Sequence, residues 1–144
     1  MRALFLGLTF GVANLASAQP ASDPAVDCVV TSAIADWSIG LYGQTEALNA
    51  YAAGEDRTEI VAKMVRERIR IQRGVAALVA KSVDPATAGR TPLDFRQAVG
   101  TAIGELNAER SRTSVGTYVS AHPYSETVPP ALGCLESFGV LEPE

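Results

Sequence analysis

Residues 23–54 read DPAVDCVVTSAIADWSIGLYGQTEALNAYAAG, and this segment decides the fold. Asp23 offers an N-cap oxygen, and Pro24 arrives with its φ already set for a first helical turn. From there Val30, Ile34, Trp37, Leu41, Gln44, Leu48 and Tyr51 recur at alternating steps of four and three. Only Gln44 interrupts this apolar seam. Cys28, Ala35, Ile39 and Tyr42 form a second apolar face. A helix apolar on two faces belongs at the centre of a bundle. Gly40 and Gly43 weaken it and predict a kink. Gly54 is its natural stop.

The rest of the chain repeats the helical period. Asp56 and Glu59 stand at capping-box spacing, and Ile60, Val61, Met64, Ile71, Val75, Leu78 and Val79 supply a buried arc ending near Ser82. Asp84-Pro85 opens a loop through Gly89. Thr91-Pro92 repeats the cap-plus-proline signal, with Asp94 in the first turn, where the helix dipole favours an anion. Phe95, Val99, Ala102, Ile103 and Leu106 share one face of a third helix running at least to Arg110. Val115, Tyr118 and Val119 either continue that helix or start another, and His122-Pro123 ends it. Tyr124 to Pro130 reads as loop, and Ala131 to Phe138 as one short helix stopped at Gly139. No segment alternates as a strand would. The expected fold is all-α: a small bundle of three main helices plus a short C-terminal helix stapled by one disulfide.

The staple is the pair Cys28 and Cys134, the only cysteines in the chain. The N-terminus gives the compartment that would oxidise them. Arg2 precedes an apolar run from Ala3 to Leu15, then Ala16-Ser17-Ala18 before Gln19. This is the pattern of a secretory leader cleaved after residue 18. The run, about 13 residues, is too short to span a bilayer. Cleavage leaves residues 19–144, about 126 residues, as a single helical domain with no stable membrane anchor. The expected location is the periplasm or the exterior, where an isolated cysteine pair oxidises. Neither cysteine has a neighbouring His or Cys, so no metal site is expected.

Charge excludes some partners. The chain carries 16 acidic and 12 basic residues and a net charge of −4, and loss of Arg2 with the leader makes it one unit more negative. A nucleic-acid footprint would be basic, so that role is disfavoured, as is an anionic membrane surface. A hydrophobic content of 47% against 19% charged residues argues for a folded domain.

Candidate sites stand out against this background. Lys63, Arg66, Arg70 and Arg73 align on one face of the second helix. They read as an anion- or acidic-partner site, or as a solvated face balanced by Glu59 and Glu67. Arg68 falls inside the arc of Met64, Ile71 and Val75, with Asp36 on the first helix as its candidate counter-ion. The two read as a buried ion pair or as ligand-facing groups. Gly100 and Gly104, continued by Ser111, read as tight internal packing, or as a homodimer face. Trp37 reads as core. Tyr118, His122 and Tyr124 gather around the expected loop. His122, the only histidine, is a surface residue or a catalytic base, and no nucleophile-elbow sequence accompanies it. Haem-attachment, zinc-protease and phosphate-loop motifs are absent, so no cofactor is expected. The leading expectation is an exported, non-enzymatic helical protein acting on an envelope or exported protein, as an inhibitor, immunity or scaffold protein. A small-molecule-binding bundle comes second and a small hydrolytic enzyme third.

Overall fold

The computed structural model describes residues 23–84 and 89–141. The expected leader, and most of the expected loop after Asp84, lie outside the described residues. Five helices follow in order: α1 (Pro24–Ala53), α2 (Thr58–Ser82), α3 (Pro92–Arg112), α4 (Val115–Ala121) and α5 (Tyr124–Ser137). The bundle is all-α, and the disulfide between Cys28 and Cys134 joins α1 to α5.

The local start and stop signals act as their chemistry dictates. The Asp23 carboxylate accepts from the Ala25 amide at 3.0 Å, and Thr91 Oγ1 accepts from the Asp94 amide at 3.2 Å. Gly54 ends α1 at φ +70°, a left-handed conformation that costs glycine least. The helix runs unbroken through Gly40 and Gly43. At α2 the Asp56–Glu59 box does not close. Asp56 caps the Thr58 amide instead, at 2.9 Å.

α1 is the axis. It packs against each of the other helices, most extensively against α5 and α2, and α2 also packs on α5. The core joins Cys28, Val29, Ala35 and Ile39 of α1 to Met64, Ile71 and Leu78 of α2, Phe95 of α3, and Val128, Ala131 and Leu135 of α5. α2 approaches α5 closely at Gly74, where a Cβ would stand 2.8 Å from Leu135 Cδ1. α3 runs alongside α1 in the same direction, with Arg90 paired to Asp23 at one end and Arg110 over the Trp37 ring at the other.

Several expectations are corrected. The seam through Trp37 and Leu41 is not the most buried face of α1; the face with Cys28, Ala35 and Ile39 is. Leu48 and Tyr51, at the end of that seam, are 67% and 73% exposed. The cause is length: 30 residues of α1 reach about 45 Å and the 21 of α3 about 31 Å. α3 starts beside Asp23 and its Arg110 lies over Trp37, so it ends short of the last turns of α1. Val61 is exposed rather than part of the buried arc. Gly100 and Gly104 face open space, with no other side chain or helix among the described residues within 4 Å of a Cβ at either, so they serve no close packing among those residues. Finally, Tyr124 to Pro130 is helix, not loop. Pro123 is its cap, accepting through its carbonyl from the Glu126 and Thr127 amides. Pro129 and Pro130 deprive the carbonyls of Ser125 and Glu126 of their helical donors, but both those residues are exposed to water.

Candidate functional site

α1 and α2 together carry an open groove. Ile39, Gly40, Gly43 and Ala47 form its α1 side, and Val61, Met64 and Val65 its α2 side, around a space of about 260 Å³. Its floor is low because Gly40 contributes no side chain. Along α2 the apolar surface continues as Val61, Val65 and Ile69, spaced four apart so that they stack on one face. Val65 is 50% and Ile69 41% exposed.

Charge brackets this row. On one flank Arg68 forms a bidentate pair with Asp36, at 2.7 and 2.9 Å, and Gln72 donates to the same carboxylate at 2.9 Å. The pair sits at the groove rim, not in the core, because the Arg68 side chain is 47% exposed. Its two-point geometry orients Arg68, but at that exposure it adds little to stability. On the other flank stand Arg66 and Arg73, exposed and with no ion pair among the described residues. The stripe expected from the sequence is therefore divided. Lys63 lies over the Tyr124 ring at 5.9 Å and Arg70 reaches Glu136 at 3.8 Å, both turned toward α5. Glu67 does not balance the stripe, since it accepts from the Tyr124 hydroxyl. Sequence reasoning overlooked Val65 and Ile69. Their signal was the four-residue step from Val61, running beside the main arc.

Tyr118, His122 and Tyr124 do not form one site. Tyr118 meets Trp37 edge-on at 6.3 Å and faces α3, whereas Tyr124 stacks on Tyr42 at 4.9 Å and faces α2. His122 stacks on Tyr118 at 4.2 Å, and its Nδ1 lies 3.0 Å from the Tyr118 carbonyl. Among the described residues no hydrogen bond joins its imidazole ring to a hydroxyl nucleophile or a carboxylate. Its backbone carbonyl accepts from Ser38 Oγ at 2.9 Å, which fastens the corner between α4 and α5 to α1. Also among the described residues, no three His, Cys, Asp or Glu side chains converge as a metal site, and no helix is long and apolar enough to cross a membrane.

Burial, and after it the hydrogen bond to Glu67, hold the Tyr124 hydroxyl protonated well above its ordinary pKa of 10.0. The unfolded chain releases this proton first. The stability tied to it is complete below pH ~10 and is lost as pH rises beyond that value. Denaturation midpoints measured from pH ~9 to ~11.5 should fall with pH, and fall less steeply in Tyr124→Phe. Parallel curves for the two proteins would remove Tyr124 from that dependence.

A scan against known protein families, a search of curated proteins and a search of solved structures each return no match to this chain.

Proposed function

We propose that this chain is an exported, non-enzymatic helical protein that acts by binding another protein, as an inhibitor, immunity or scaffold protein. Its contact face is the α1–α2 groove and the row Val61, Val65 and Ile69. The observation that carries this reading is the exposed apolar row with arginines on both flanks, Arg68 on one and Arg66 and Arg73 on the other. That pattern complements an amphipathic helix with an apolar ridge and acidic borders, the helix-in-groove mode of recognition. The disulfide supports a non-reducing compartment, and the leader pattern supports export to the periplasm or beyond.

The test is affinity capture from the extracytoplasmic fraction, with crosslinking and mass spectrometry, using the disulfide-bonded protein as bait. One partner should be held by the native chain and lost at least about tenfold by Val65→Asp/Ile69→Asp and by Arg66→Glu/Arg73→Glu. All four positions are exposed, so melting temperatures should stay close to the native value. A partner retained equally by either variant would remove this face from the reading.

A further inference from the structure

A second cleft, of about 330 Å³, opens where the end of α3 meets α1 and α4, and its wall includes Leu41, Asn107, Arg110, Ser111, Val115 and Tyr118. Two independent features make it more than a surface dent. Tyr118 is only 3% exposed, yet its buried hydroxyl has no hydrogen-bond partner among the described residues. Folding has stripped this group of water without supplying a replacement, an arrangement that is costly unless a partner arrives. Arg110 is the second feature. It has no ion pair among the described residues, and its guanidinium is held 4.7 Å from the Trp37 ring centroid.

We propose that this cleft binds a small amphipathic monocarboxylic acid, with Arg110 and Tyr118 holding the carboxylate and Leu41 and Val115 covering the apolar body. A guanidinium presents paired donors that match a carboxylate. Burial, and then the neighbouring Glu109 charge, raise the Tyr118 pKa, so the hydroxyl keeps the proton it must donate. The same surroundings limit the charge of the ligand. Glu109 repels a second negative charge, and the carbonyl end of α3 is weakly negative. That end is already moderated by the chain itself: Ser111 Oγ, Arg112 Nε and Thr113 Oγ1 donate to the carbonyls of Asn107, Ala108 and Glu109. One guanidinium, one neutral hydroxyl and a nearby acid suit a monoanion better than a phosphate dianion. The volume lies at the small end of the range for ligand sites, about 300–1,000 Å³. This inference does not depend on the α1–α2 groove.

Trp37 is the only tryptophan and touches both groups, through Arg110 above its ring and Tyr118 at its edge. Its emission is the natural readout. The full disulfide-bonded protein is titrated with benzoate, hexanoate, the uncharged benzyl alcohol and inorganic phosphate, each to about 10 mM, where a site of ~1 mM Kd is mostly filled. At least one carboxylate should give a saturable change, while benzyl alcohol and phosphate give a response at least about tenfold weaker. Arg110→Gln should abolish the change, and Arg110→Lys should restore only part of it. Tyr118→Phe should weaken binding about tenfold without lowering the melting temperature, since it removes only an unpaired hydroxyl. No saturable response to either carboxylate overturns the proposal. So does an equal response to benzyl alcohol or to phosphate, or binding unchanged in Tyr118→Phe.

Discussion

Replacing Cys28 and Cys134 together by alanine is expected to lower the unfolding free energy by about 4–5 kcal/mol. The two residues lie 106 positions apart in sequence, so the bond closes nearly the whole folded segment into one loop. On the chain-entropy account, the cross-link acts mostly by removing extended conformations from the unfolded state. Its position adds to the effect. Cys28 is buried, and the bond ties the start of α1 to α5 within the cluster of Val128, Ala131 and Leu135. A domain of this size has about 5–15 kcal/mol of net stability, so the variant should unfold at much lower denaturant. Urea unfolding of the double variant, beside the native protein with and without reductant, measures the effect. The reduced native protein should behave like the variant. A loss below about 1 kcal/mol in both would mean that α1 and α5 associate firmly without the bond, leaving packing to explain the fold.

What could be read from the chain in advance was whatever is written locally. Asp23-Pro24 and Thr91-Pro92 start their helices where a cap oxygen and a preset φ dictate. Asp36 and Arg68 could be paired from sequence because Arg68 falls inside an apolar arc of α2 and needed a partner, and Asp36 stands midway along α1. Misreadings arose where a distant element decides. Pro129-Pro130 reads as a helix breaker, yet the cap at Pro123 and the burial of Val128 and Ala131 hold that segment helical. Leu48 and Tyr51 read as seam because the pattern does not reveal that α3 ends before reaching them. On α2 two apolar arcs run side by side, and no helical wheel says which one the bundle covers. The cleft at Tyr118 was hidden for a related reason. Tyr118 carried a candidate signal in its loop neighbourhood, but Arg110 marked only the far end of α3. Their meeting depends on the chain leaving helical geometry at Thr113 and Ser114, both extended, between α3 and α4.

The dependence of α3 on few anchors gives the second large effect, Phe95→Ala. Phe95 and Leu106 are the only buried residues of α3, and Phe95 is 1% exposed. Its ring also carries the Arg90 guanidinium at 4.3 Å, and Arg90 in turn pairs with Asp23 at the head of α1. Truncation removes the ring's burial, leaves a cavity and frees Arg90, a combination costing about 3–5 kcal/mol. The loss should not fall evenly. α2 and α5 pack on α1 and on each other, and the disulfide fastens α5 to α1, so these three helices retain their mutual support. α3 holds its place mainly through α1. Hydrogen exchange should therefore show amides of residues 92–112 losing protection by on the order of a hundredfold or more, while those near Cys28 and Cys134 lose far less. An equal loss throughout would show that the five helices unfold as one unit. The same variant separates the two binding surfaces. Arg110 rides on α3, so the Trp37 response to benzoate or hexanoate should vanish with α3 docking. The row Val61, Val65 and Ile69 stands on α2, so partner capture through it should survive.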